Sequence, residues 1–347
     1  MGSAANADPC QLRQGFSFSP PPCLPIAIGR CNVRFATSKA LWLASAILLA
    51  LAVVAVGCGG GEEAQRTTPA SSPSPAFPVA VTGSDGKQLT LTAAPQRIVA
   101  LAPSFVEILY AIGAGDSIVA VDENTDYPAQ AAAKPKISGF QPSVEGIAAQ
   151  RPDLVMITYD PGGLREALER LDIKVLNLDA PESVQGVLDQ IQLLGRASGR
   201  QEAAAGLVRG MRASIDAVTR KLADIQQGPT VFHEIDSTYY TAGPKSFVDD
   251  LYTTLKARNI AESAGQPYPQ LSAEEIIRGN PDVIVLADED AGESPQTVAA
   301  RPGWGQIAAV QNHRVYTVDP DIVSRPGPRL PEALQVLAKL LYPERFP

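Results

Sequence analysis

The chain has 347 residues, 45% hydrophobic and 19% charged, with a formal net charge of −8, which is room for two ordinary globular domains. An acidic chain without a basic block excludes nucleic acid as a partner. The four cysteines, Cys10, Cys23, Cys31 and Cys58, all lie near the front, and the two histidines are His233 and His313; a disulfide-framed body, a cysteine zinc site and a three-histidine metal site are thereby excluded.

Residues Ala40 to Gly57, "ALWLASAILLALAVVAVG", are apolar apart from Ser45 and follow Arg34 and Lys39. A basic start, an apolar run and small residues before a cut have the form of an export signal. The cut falls at "AVGC", Ala55 to Cys58, which resembles the lipobox of bacterial lipoproteins, with Ala55 where Leu is commoner. That resemblance implies cleavage after residue 57 and lipidation of Cys58. Eighteen apolar residues would also just span a bilayer as a plain anchor. Residues 1–32 are expected to precede the true start, with Val33 as the first residue of the signal. Residues 58–78, Gly-, Ser- and Pro-rich, are expected to be a flexible tether. Removing residues 1–57 takes away four basic residues and one acidic residue, which leaves 25 basic, 36 acidic and a net charge of −11.

From Arg97 short apolar runs alternate with helical patterns. "RIVALA" reads as a strand, "SFVEILYAIGA" as a helix capped by Ser104 and stopped by Gly113, and "SIVAV" as a strand. "VEGIAAQR", "LREALERL" and "SVQGVLDQIQLLG" read as helices, "PDLVMI" and "KVLNL" as strands. The alternation predicts an α/β lobe with a mostly parallel sheet over residues 79–197. Residues 198–227 differ. From Arg200 to Ile225 the apolar positions recur every three or four residues, through Ala204, Val208, Met211, Ile215, Val218 and Leu222. This predicts a 26-residue spine helix, roughly 39 Å long. A second α/β lobe is expected over 228–347: strands "TVFHEI", "PDVIVLA" and "RVYTVD", helices "SFVDDLYTTLKA", "AEEIIRGN" and "RLPEALQVLAKLLYP".

One segment occurs twice. "VEGIAAQRPDLVMI" (Val144 to Ile157) and "AEEIIRGNPDVIVL" (Ala273 to Leu286) both place a Glu seven residues ahead of Pro-Asp and an apolar strand. A helix-to-strand connector accounts for the Pro, the Asp and the strand. It does not account for Glu145 and Glu274, although Glu is common at helix starts for electrostatic reasons.

These motifs together, "RIVALAPSFVEILYAIGA", "VAVDENTDYPAQA", "ISGFQPSVEGIAAQRPDLVMI", the spine pattern, "TAGPKSF" and "YPQLSAEEI", resemble the substrate-binding proteins of type II ABC importers, the helical-backbone binders of cobalamin, iron–siderophores and haem. The likeness covers roughly Arg97 to Phe346. It implies two Rossmann-like α/β lobes joined by a long backbone helix, with a ligand cleft between the lobes. It implies that Glu145 and Glu274 dock to arginines on the two halves of a symmetric permease with its ATPase. It places Phe140, Tyr159, Tyr240 and Tyr268 on the cleft walls. Arg325, in "SRPGPR", is expected either to reach a ligand carboxylate or phosphate or to form a structural salt bridge. Asn124 stands where cobalamin binders carry an aromatic, and Ser324 where they carry an acid. The ligand expected is a metal chelate: a corrinoid first, then a ferric siderophore, then haem. It is cargo; no resident cofactor, metal or catalytic residue is expected, and the protein is expected to be a monomer anchored outside the cell membrane. A metalloenzyme, a free-ion binder and a sensor lobe without an importer are the competing readings. A body with no cysteine beyond Cys58 and two scattered histidines argues against the first two.

Overall fold

The computed structural model describes residues 77–288 and 291–347. The signal, Cys58 and nearly all of the tether lie outside the described residues.

A hairpin of β1 (Val79–Thr82) and β2 (Gln88–Leu91) precedes the first lobe; it was not read from the sequence. The lobe then runs β3 (Ile98–Ala100), α1 (Pro103–Ala111), β4 (Ile118–Asp122), α2 (Ala129–Ala132), β5 (Lys136–Ile137), α3 (Val144–Ala149), β6 (Leu154–Ile157), α4 (Leu164–Glu169), β7 (Lys174–Asn177) and α5 (Val184–Ala197). Its five strands are parallel in the order β5-β4-β3-β6-β7. Side chains alternate between the faces, as strand geometry requires. Ile98, Ala100, Leu154 and Met156 join one core with α1 and α5, while Val99, Val155 and Ile157 join another with α3 and α4. Both faces are covered, so the strands are apolar throughout. Helix α1 begins two residues earlier than a cap at Ser104 implies. Pro103 occupies its first turn, where a missing N–H costs nothing, and Ala102 rather than Ser104 is the cap. Gly113, at φ +75°, ends it as expected.

The spine is α6 (Gln201–Arg220). Its buried stripe is Ala204, Val208, Met211, Ile215 and Val218, the predicted face. Its length is 20 residues, about 30 Å at the helical rise, not the 26 expected. Beyond Arg220 the amides of Lys221, Leu222, Ala223 and Ile225 bond to carbonyls three residues back, so the chain tightens into turns. Arg345 donates to the Lys221 carbonyl at 2.8 Å and pairs with Asp224. Leu222 stays buried. A tightened turn preserves the three-residue spacing, so the apolar pattern runs past the helix end.

The second lobe runs β8 (Thr230–Glu234), α7 (Phe247–Thr254), β9 (Arg258–Asn259), α8 (Ala273–Gly279), β10 (Val283–Leu286), α9 (Pro295–Ala299), α10 (Ala308–Gln311), β11 (Val315–Thr317), α11 (Pro320–Val323) and α12 (Leu330–Leu341). Its strands are parallel in the order β11-β10-β8-β9. Helix α6 packs against α5 on one side and α12 on the other. One apolar core, including Phe105, Leu188, Met211, Leu251 and Leu334, runs through both lobes along it.

The repeated segment is now explained. In each lobe a helix and strand, α3–β6 or α8–β10, cross over to pair beside the lobe's first strand, β3 or β8. The repeated Asp anchors that first strand. Asp153 accepts from the amides of Gln96 and Arg97 at 2.8 and 3.1 Å. Asp282 accepts from the amide and the hydroxyl of Thr230, both at 2.8 Å. These donors have no ladder partner at a strand start, and an unsatisfied one would cost about 1–3 kcal/mol.

Candidate functional site

All strands of a parallel sheet end on one edge, and in open α/β sheets the crevice outside the strand C-termini, where strand order reverses, is where ligands bind. Here that reversal lies between β3 and β6 and between β8 and β10. The loops on those edges carry exposed rings: Tyr127 after β4, Phe140 after β5, Tyr159 after β6, Tyr240 after β8 and Tyr268 after β9. Phe140 is 73% exposed and Tyr268 56%. Among the described residues these five are all the exposed aromatics. Rings left in water at one edge of each sheet offer flat apolar area with hydroxyl donors.

Within each lobe the rings are paired by the backbone. The Tyr159 hydroxyl donates to the Phe140 carbonyl, and the two rings tilt against each other with centroids 6.2 Å apart. On the second lobe Tyr240 bridges to Gln270 and the Thr241 amide donates to the Pro269 carbonyl at 3.0 Å. That holds Tyr240 beside the segment bearing Tyr268.

Contacts across the lobes show that the two edges face each other. Arg325 bonds to Asp126 at 2.6 Å, to Asp321 at 2.6 Å and to the Asn124 carbonyl at 3.3 Å. Arg329 grips buried Glu107 with two hydrogen bonds of 2.9 and 2.6 Å and lies 4.7 Å from the Tyr127 ring centre. The arginines belong to the second lobe, and Glu107, Asn124 and Asp126 to the first. A pocket of about 590 Å³ opens beside these ion pairs, lined by Tyr110, Tyr127, Pro328 and Arg329 among others.

Glu145 and Glu274 each stand at the second position of a helix, two residues after Ser143 or Ser272, whose hydroxyls accept from the amides of Gly146 and Glu275. Both glutamates are exposed. In α8 the reciprocal cap is closed by Glu275, not by Glu274. In α3 the Ser143 hydroxyl donates to Glu145 at 3.1 Å.

The four cleft aromatics named from the sequence thus lie at the strand ends, two to a lobe. Arg325 differs from the ligand-contacting alternative: its guanidinium is held by Asp126, Asp321 and Glu107 and ties one lobe to the other. Tyr127 was missed. Its signal was present, an aromatic directly after a strand in "TDYPAQA", but nothing local separates an exposed ring from a packed one. Glu107 was missed, and Arg329, the second arginine of "SRPGPR", was given no partner, because their pairing spans 222 residues. His233 is fully buried, bonds to the Tyr252 hydroxyl at 2.7 Å and is kept neutral, its pKa pushed down to about 4 by burial. It is part of the core. Among the described residues no helix is long and apolar enough to cross a membrane.

Comparison with known proteins bears on this arrangement. The periplasmic binding protein family matches residues 98–322. An ABC transporter substrate-binding lipoprotein of Bacillus subtilis, YvrC, itself uncharacterized, is 34% identical over 87% of this chain and 97% of its own length. A cobalamin-binding protein of Halobacterium salinarum is 29% identical over 77% of this chain and 74% of its own. The crystal structure of a possible iron-binding periplasmic solute-binding protein of Staphylococcus epidermidis superposes with a TM-score of 0.63 at 30% identity, covering 72% of this chain and all of that one.

Proposed function

The chain belongs to the periplasmic binding protein family, and from that premise we propose that it captures a metal chelate between its lobes and delivers it to a two-fold symmetric ABC permease. Binding proteins of this kind are extracytoplasmic components of ABC importers, not enzymes. The observation that carries the reading is the set of exposed rings on facing strand ends. Phe140 and Tyr159 form one wall, Tyr240 and Tyr268 the other. A corrinoid or ferric siderophore presents the flat or rounded apolar surface such walls accept, and haem is the third candidate. Lipidation at Cys58 would keep the body at the membrane, each buried methylene adding about 0.8 kcal/mol. Glu145 and Glu274 are the docking acids. Equivalent places in two similar lobes suit two equivalent sites on a symmetric partner. Charges exposed at a rim act mainly on encounter and orientation.

Calorimetric titration of the protein with cyanocobalamin, ferrioxamine B and haemin tests the capture step. One of them should bind, and Phe140→Ala or Tyr240→Ala should weaken it by about 1–3 kcal/mol; heat from none of the three refutes the reading. For docking, Glu145→Lys with Glu274→Lys should abolish uptake in cells while leaving the affinity unchanged.

A further inference from the structure

The loops that carry the rings also carry charge, and of one sign. On the first lobe the segments after β4, β5, β6 and β7 hold five acids, Glu123, Asp126, Asp160, Asp179 and Glu182, and no Lys or Arg. All five are exposed. On the second lobe the corresponding loops add Asp236, Asp319 and Asp321. Of the bases there, Arg325 and Arg329 are paired with Glu107, Asp126 and Asp321, Arg301 is paired with Glu234 and Glu293, and Lys245 remains. Of the other bases, Lys136 reaches this edge, where it donates to the Thr125 carbonyl, whereas Arg97, Arg151, Lys174, Arg258 and Arg314 sit at the opposite edge, where the strands begin.

Helix dipoles favour acids at helix N-termini and so would place some carboxylates on this edge. They account for Asp160, which accepts from the Arg165 amide in the first turn of α4, and for Asp319 and Asp321 at the start of α11, but not for Glu123, Asp126, Asp179 or Asp236. The first-turn acids of α3 and α4 are Glu145 and Glu166, and α5 has none. A second observation comes from the end of β10. Asp288 is 6% exposed and faces the Glu234 and Glu293 carboxylates, and among the described residues no amide or other nitrogen donates to its oxygens. Its pKa is pushed up to about 7, first by burial and then by the carboxylates of Glu234 and Glu293. Held toward its neutral form, Asp288 itself adds little negative charge; what it shows is that Glu234 and Glu293 bring like charge to the end of β10.

We propose that the charge of this cleft selects its ligand: neutral or cationic chelates are accepted and anionic ones rejected, which favours a corrinoid or a cationic ferric hydroxamate over haem or a ferric catecholate. The proposal rests on the chelate-binding reading above and narrows it. A cleft lined by one sign of charge focuses its field and concentrates ligands of the opposite sign. An anionic group entering it meets like charge, while the nearby arginines are committed to protein carboxylates and would have to leave them. Tyrosine faces, by contrast, attract a cation.

Charge series on a fixed frame separate this effect from shape. The protein would be titrated with aquocobalamin (cation), cyanocobalamin (neutral) and a cobalamin monocarboxylic acid (anion), with ferrioxamine B and its succinylated anionic form, and with haemin. Within the frame that binds, affinity should fall about tenfold from cation to anion at low ionic strength, as several carboxylates at roughly 8 Å would give. The gap should narrow in about 0.5 M salt. It should also narrow by about threefold in the exposed double variant Asp160→Asn/Glu182→Gln. An anion that binds as well as its cationic counterpart, haemin binding more tightly than either series, or a gap unchanged in the double variant overturns the charge selection and leaves chelate capture standing. No binding by any probe refutes chelate capture, and this inference with it.

Discussion

Asp288 and Glu234 end neighbouring strands, and Arg301 serves only one of them. The guanidinium meets both Glu234 oxygens, at 2.6 and 2.5 Å, and Glu293 at 2.8 Å, and lies 4.5 Å from the Trp304 ring centre. Asp288 is left with its raised pKa of about 7. The sign of the consequence follows from linkage. The folded protein holds this proton more tightly than the unfolded chain, where Asp titrates near 3.9. The group's contribution to stability is therefore complete below about pH 4 and is lost as pH rises through about 7. Asp288→Asn, uncharged at every pH and able to donate to Glu234, should raise the melting temperature at pH 8 and reduce its fall between pH 5 and pH 8. An unchanged melting profile would show that Asp288 is ionised at no cost. Single residues also mark what local pattern conveys. The repeat identified Asp153 and Asp282 as a pair, but their role as strand anchors needed the positions of Arg97 and Thr230.

At the scale of elements, α6 combines weak propensity with strong burial. Gly206 and Gly210 each cost about 1 kcal/mol relative to Ala, while burial of Val208, Met211 and Ile215 returns about 1.5–3 kcal/mol each. A Cβ at Gly210 would meet nothing within 4 Å. Gly210→Ala should therefore stabilise the protein by about 0.5–1 kcal/mol in urea unfolding; a loss of stability would mean that the position needs backbone freedom. Gly195 is the opposite case. Its Cβ would come within 2.3 Å of the Ala204 Cβ, so this glycine permits the close crossing of α5 and α6. Both glycines look alike in a helical pattern, and only the neighbouring helix distinguishes them.

At the scale of the molecule, the lobes are fixed to each other by three things: the spine, the apolar core along it, and the ion pairs of Glu107 with Arg325 and Arg329. Glu107 is 2% exposed. Removing its charge leaves the Arg329 guanidinium largely out of water without its main partner. Glu107→Gln should cost about 3 kcal/mol in urea unfolding, with Glu107→Asp recovering part of the loss. A cost below about 0.5 kcal/mol would show that water replaces the carboxylate. The alternating strand and helix periods by themselves determined two α/β lobes and a helix between them, because side-chain periodicity is a local property of the backbone. Export-signal composition and the position of each aromatic after a strand were legible for the same reason. The tertiary structure alone decided where the spine ends, which arginines are committed, that Tyr127 is exposed, and that the acidic edges of two sheets face one another. Each of those depends on residues distant in the chain meeting in space, and a linear pattern carries no record of which partner arrives.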